Sequence, residues 1–185
     1  MADRPDPKAV NHLVRTVRQI RQYKPDPVPD EALATLLQLA RWTGSSKNTQ
    51  PWHFIVVRDK ERLRELSQVR TPINWLAAAP VGIAIVLDGK LPHSEAYDEG
   101  RVSERLLIGA HSLGLGGGVA WWGDADEQAK AKKILGIPED RTARSMVMIG
   151  RPLSTADPRN PGRVGGRKPL DEVVSYERFG KPRQS

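Results

Sequence analysis

The 185-residue chain contains no cysteine. Disulfides, thiolate metal sites and a cysteine nucleophile are therefore excluded. Its four histidines, His12, His53, His93 and His111, are scattered and show no HExxH-like spacing, which argues against a histidine-rich metal site. No apolar run approaches the ~20 residues a membrane-spanning helix needs. The opening MADRPDPKAV has no apolar signal core, so the chain is expected to be cytoplasmic. Aromatic residues make up only 5% of the chain. Few of them stand among the basic clusters, which weighs against a nucleic-acid partner.

Apolar residues at 38% and charged residues at 28% describe a soluble globular protein. The length suits a single domain over 1–185, or one half of a symmetric dimer. The net charge is +7, with local clusters near 15–24, 58–64, 130–133 and 159–168. Such an excess suits an anionic cofactor as well as it suits a nucleic acid.

Residues 1–9, rich in proline and charge, are expected to form a flexible arm. Val10, Leu13, Val14 and Val17, with Ile20 or Arg21, recur at helical spacing and predict a helix that Tyr23-Lys24-Pro25 ends. Arg15, Arg18 and Arg21 share a neighbouring face, either solvated or reaching a phosphate. Asp30 and Glu31 open a second helix with Leu33, Leu36, Leu37 and Ala40 as its stripe and Gly44 as its expected C-cap. Strands are expected at Phe54–Arg58, Val81–Leu87, Val119–Trp122 and Ser145–Gly150, and further helices at Asp59–Gln68, Glu95–Leu113 and Asp126–Leu135. The continuous apolar run of Val81–Leu87 predicts a central strand covered on both faces. The sum is an α+β layered domain. Residues 151–185 carry little core pattern of their own, and a partner subunit is the natural surface for them.

Two stretches point to chemistry. The loop TGSSKNTQPW gathers Ser45, Ser46, Lys47, Asn48 and Gln50 at a helix-to-strand junction. It is either an ordinary turn or one wall of a site for a planar ligand with a phosphate tail. In GLGGG a helix cap explains Gly114 alone, and a backbone closely approached by a flat ligand would explain the rest. One of Trp121 and Trp122 is expected in the core and the other beside a ligand.

Four segments, in order, resemble the nitroreductase superfamily of FMN-dependent oxidoreductases. Arg18-Gln19-Ile20-Arg21-Gln22-Tyr23 is similar to its opening RRSxRxF/Y motif, and Ser45–Trp52 to its SxxNxQPW loop. Tyr97–Gly100, Leu106–Ala110 and Leu113–Gly116 resemble its central helix and GLG turn. Ile134–Pro138, Met148–Pro152 and Arg167–Val174 resemble its C-terminal third. The resemblance implies a nitroreductase-like fold, with helices around a small mixed central sheet, in an interlocked homodimer. FMN would be bound at the subunit interface, with the 151–185 tail packing on the partner.

Carried over by position, the resemblance places Arg18, Gln19 and Arg21 at the FMN phosphate and ribityl chain. Ser45, Ser46 and Asn48 would line the site from the other subunit. Trp121, Trp122 and Gly123 would face the ring, and Arg167 with Lys168 would close on the phosphate. The chain departs from the family at Val17, Gln19 and Gly165, where relatives often carry arginine, serine and a cation. It also lacks a long helical insertion, which implies a more open pocket. The implied activity passes hydride from NADH or NADPH through flavin N5 to an electron-poor acceptor such as a nitroaromatic or quinone, with no catalytic side chain required. The alternatives are flavin fragmentation, dehalogenation or dehydrogenation in the same fold, and a basic nucleic-acid-binding protein.

Overall fold

The computed structural model describes residues 4–153 and 167–181. The chain separates into two compact units, Met1–Thr155 and Ala156–Ser185. In the first, helices α1 (Pro7–Thr16), α2 (Asp30–Arg41), α3 (Lys60–Gln68), α4 (Pro92–Ser112) and α5 (Ala125–Leu135) surround strands β1 (Trp52–Val57), β2 (Val81–Leu87), β3 (Gly116–Trp121) and β4 (Thr142–Gly150). A kinked 3-10 segment, Thr71–Ala78, follows α3. Among the described residues no helix is long and apolar enough to cross a membrane.

The strands run in the order β1-β2-β4-β3. All three pairings are antiparallel. The sheet expected to be mixed gains a parallel element only at its edge, in a bridge between Gln19 and Gly117. All seven residues of β2 are buried, as a central strand requires. Its side chains alternate between two cores. Ala84 and Val86 join Met146, Met148, Ala120 and Trp122 beneath Leu63 and Leu66 of α3, Leu76, and Leu135 of α5. Ile83, Ile85 and Leu87 join Val147 and Ile149 beneath Leu33, Leu36 and Ala40 of α2 and Val102, Leu106 and Ala110 of α4. The fold is thus α+β, a small antiparallel sheet with helices on both faces.

Local chemistry sets the helix ends. Asp6 caps α1 by accepting from Lys8 N–H at 3.0 Å, with Pro7 in the first turn, so the expected arm is helical from Pro7. Gly136 closes α5 in the left-handed conformation, φ 66°. Gly44 does not close α2; Trp42 is its C-cap, at φ −80°. The buried Glu95 carboxylate accepts the N–H groups of Gly89, Lys90 and Leu91 at 2.9–3.1 Å, which fixes the loop entering α4. Glu99, also buried, accepts from Arg144 at 2.9 Å and from the Ser145 hydroxyl, tying α4 to β4.

The helix expected to reach Tyr23 ends at Thr16, and Val17 is already non-helical (ψ 133°). The next residues instead run along the open edge of β3. Ile20 N–H donates to Gly117 O at 2.8 Å, and Val119 N–H donates to the Gln19 side-chain oxygen at 2.8 Å. Further along, Lys24 N–H donates to Arg151 O at 2.8 Å. The sheet edge offers peptide partners that an isolated helix prediction does not contain, and tertiary pairing overrides the helical spacing. The same packing accounts for the glycines. A Cβ on Gly116 would stand 2.6 Å from Ile20 Cγ1, and one on Gly118 would run into the Ile20 carbonyl oxygen. The close approach expected of a flat ligand is made by the chain's own edge segment.

The described part of the second unit, residues 167–181, holds one helical turn, α6 (Leu170–Val173). A tight turn follows, in which Tyr176 N–H donates to Lys181 O at 2.9 Å and Gly180 N–H to Ser175 Oγ at 2.9 Å. None of these residues is buried, and Phe179 is fully exposed.

Two substitutions test this packing. Gly118→Ala is expected to destabilise by ~1–3 kcal/mol, because a backbone carbonyl cannot move aside as a side chain can; chemical denaturation reads it. Trp122 is fully buried and its indole N–H has no partner among the described residues. Trp122→Phe should therefore cost far less than the ~3–5 kcal/mol of Trp122→Ala, since loss of the orphan donor offsets part of the lost volume.

Candidate functional site

The captured edge segment presents its arginines to solvent. Arg18 is exposed, with Nη1 donating to the carbonyls of Arg15 and Val17 at 2.8 and 2.7 Å. The Arg21 guanidinium lies 5.7 Å from the centroid of Trp75. Among the described residues Arg15, Arg18, Arg21 and Lys24 make no ion pair. Gln19 is differently employed: its side-chain oxygen is already bound to Val119 N–H, so it fixes the segment to the sheet. Tyr23 anchors the far end through its hydroxyl, which donates to Ile20 O. Burial pushes its phenol pKa well above the ordinary range, with nearby Arg21 pulling part of the way back.

The loop before β1 is backbone-strained. Lys47, Asn48 and Gln50 have φ of 52, 55 and 48°, in the left-handed region. Such conformations cost of order 1–3 kcal/mol per residue, least for asparagine. Ser45 Oγ stabilises the turn by accepting from Gln50 N–H at 2.8 Å. The Ser46 and Asn48 side chains make no hydrogen bond among the described residues, and both are exposed. Below the loop, Arg105 donates to Trp42 O at 2.9 Å. Thr43 Oγ1 and Asp98 Oδ2 are buried without partners among the described residues.

This loop enters β1, whereas the arginine segment flanks β3, and these are the two outer strands of the sheet. One chain therefore holds Ser45, Ser46 and Asn48 at one edge and Arg18, Gln19 and Arg21 at the other.

At the end of β3, Trp121 is half-exposed and Trp122 is wholly in the core. One tryptophan of the pair is in the core, as the residues predict, and Trp122 does not face outward as the resemblance implies. Trp122 shares the strand face of Gly118 and Ala120, beneath α3 and α5, and only Trp121 is available. A residue not signalled by sequence organises this turn. Arg70 Nη1 donates to Trp121 O at 3.2 Å, and its guanidinium lies 5.5 Å from the Trp121 ring centroid. Its Nε stands 3.4 Å from Glu127 Oε2, which also accepts Gly123 N–H at 2.6 Å. Asp124, as N-cap of α5, accepts Glu127 N–H at 2.8 Å. The spacing Asp124–Glu127 is a capping-box signature and could have revealed Glu127; Arg70 reaches the turn from another element, for which no local pattern exists. Arg167 and Lys168 belong to the second unit, where both are exposed. Gly165 lies outside the described residues.

Comparison with known proteins bears on the family and the fold. The Nitroreductase family matches over residues 14–75. A protein of Archaeoglobus fulgidus, assigned by inference as an NADH dehydrogenase/NAD(P)H nitroreductase, is 36% identical over 169 residues, covering 84% of this chain and 96% of its own. An FMN-dependent nitroreductase from Clostridium difficile superposes with a TM-score of 0.79 at 26% identity, over 90% of this chain and 98% of its own. A nitroreductase of Desulfovibrio desulfuricans, likewise assigned by inference and solved in complex with FMN, gives 0.76 at 26% identity over 95% and 99%. With similarity of this extent along both chains, on the same fold, the protein belongs to the nitroreductase family.

Proposed function

We propose that this chain is an FMN-dependent NAD(P)H oxidoreductase acting as a homodimer, with a nitroaromatic or quinone as electron acceptor. The observation that carries it is the edge of β3, where Arg18 and Arg21 make no ion pair among the described residues at one end and a half-exposed Trp121 stands at the other. That donor set fits a cofactor with a dianionic phosphate and a flat ring. The similarity to FMN-dependent and FMN-complexed nitroreductases supports the same choice.

Arg18 and Arg21 hold the phosphate by charge-assisted hydrogen bonds, and Arg21 is kept in place by Trp75. Gln19 contributes indirectly, by locking the segment to Val119. Ser46 and Asn48 supply free polar groups from the partner's loop, because within one chain that loop stands at the opposite sheet edge. The tail carrying Arg167 and Lys168 closes on the phosphate from the partner subunit. Trp121 borders the ring. FMN held by these residues would supply the redox chemistry that links the reduced nicotinamide to the acceptor. No acid or base from the chain is needed for that exchange, and none is assigned.

Purified protein is expected to carry a flavin absorbance spectrum that bleaches when NADPH or NADH is added without oxygen; absence of both overturns the proposal. Arg18→Ala and Arg21→Ala should each weaken FMN binding roughly 10- to 100-fold, the size of one lost charge-assisted hydrogen bond, measured by fluorescence titration. Asn48→Gly separates ligand contact from strain. Glycine adopts φ near 55° freely, so the melting temperature should hold or rise while FMN retention falls. Full flavin occupancy in this variant would remove Asn48 from the site, and the dimer should persist in sizing experiments.

A further inference from the structure

We propose that Arg70 is a positioning residue for the Trp121–Gly123 turn and that, with Glu127, it sets the reduction potential of the ring bound against that turn. The inference rests on the FMN reading above.

Arg70 is the N-cap residue of the 3-10 segment that follows α3, so it reaches the turn from a separate, packed element. One guanidinium makes three contacts there: a hydrogen bond to Trp121 O at 3.2 Å, the indole face at 5.5 Å, and Glu127 at 3.4 Å. The Glu127 carboxylate in turn holds Gly123 N–H at 2.6 Å. A helix cap accounts for Glu127 and Asp124, but not for an arginine laid across Trp121. A Cβ on Gly123 would stand 3.3 Å from Arg70 Cζ, so the turn and the guanidinium are closely fitted.

The two charges are only partly hydrated, with side-chain exposures of 30% for Arg70 and 21% for Glu127. Their fields are therefore less screened than those of a surface pair. Paired, they nearly cancel at a ring lying on Trp121. Separated, they act in opposite directions, since a positive charge favours adding electrons to the ring and a negative charge opposes it.

The test measures the midpoint potential of bound FMN in wild type, Arg70→Gln and Glu127→Gln. Arg70→Gln leaves the carboxylate uncompensated and should lower the potential. Glu127→Gln keeps an acceptor for Gly123 N–H while freeing the guanidinium charge, and should raise it. Each shift is expected to be about tenfold in the reduction equilibrium, ~30 mV for a two-electron couple. Opposite signs support the proposal; shifts of the same sign, or none, overturn it, because loosening the turn alone has no reason to reverse sign. Arg70→Lys keeps the charge without the planar fork, so it should restore the potential but not the order of the turn.

A second measurement needs no flavin. In the flavin-free protein, hydrogen exchange at the Gly123 amide should accelerate at least tenfold in Arg70→Gln and Arg70→Lys; unchanged exchange overturns the positioning role. If wild type bound no FMN, the functional reading would fall, and this exchange result would still decide whether Arg70 orders the turn.

Discussion

The hydrogen bond from Ile20 N–H to Gly117 O, 2.8 Å long, joins the N-terminal segment to a strand nearly a hundred residues later. Much of the candidate site depends on it. It ends α1 at Thr16 and turns residues 17–23 into an extended edge. That edge requires glycine at 116 and 118, because Ile20 occupies the space where side chains would stand. Without this contact Arg18 and Arg21 would lie on a helix face at a different spacing and direction. In the proposed site the glycines would therefore serve the ligand indirectly, by letting the segment that carries the arginines come close.

The sheet order gives the second constraint. In the sequence β1-β2-β4-β3, the two strands central in space come second and fourth in the chain. The segments that flank the outer strands are thus the ones left to carry polar groups. The strained loop before β1 and the arginine edge beside β3 stand three inter-strand spacings of ~4.8 Å apart. The proposed site draws on both by taking the loop from a second chain. This is why a partner subunit enters the functional proposal as a source of residues.

Much of the fold was legible because it is written in local periodicity. The apolar run Val81–Leu87 became the buried strand β2, and Leu33, Leu36 and Ala40 became the inner face of α2. Gly136 capped α5. The overlong first helix has long-range pairing as its cause. Val17 and Ile20 fit a helical stripe as well as they fit an edge strand, and only Gly117 decides between them. The residues proposed for the site stand out as motifs, since Arg18, Arg21, Ser45 and Asn48 lie in recognisable order. Their work was less so. Gln19 looks like a ligand residue and is spent on Val119 N–H. Trp121 and Trp122 are indistinguishable as letters, and strand parity alone puts the second in the core. Arg70 had no signal, because its meaning comes entirely from Trp121, fifty-one residues away.

The distribution of charge completes the picture. The formal excess of +7 understates how positive the outer surface is. Glu95, Asp98 and Glu99 are buried on α4, two of them consumed by backbone N–H groups or by Arg144 and Ser145. Acidic side chains are thus turned inward to fasten the central helix, while Arg18 and Arg21 remain outside without carboxylate partners among the described residues. Of the three arginines packed on tryptophan rings, two, Arg21 on Trp75 and Arg70 on Trp121, flank β3, and the third, Arg41 on Trp42, stands at the end of α2. Arg70 is balanced by Glu127, so the unpaired cations beside β3 are Arg18 and Arg21, and the proposal takes a compact anion joined to a planar ring as their partner, since the repeated phosphates of a nucleic acid would call for basic residues spread along a groove.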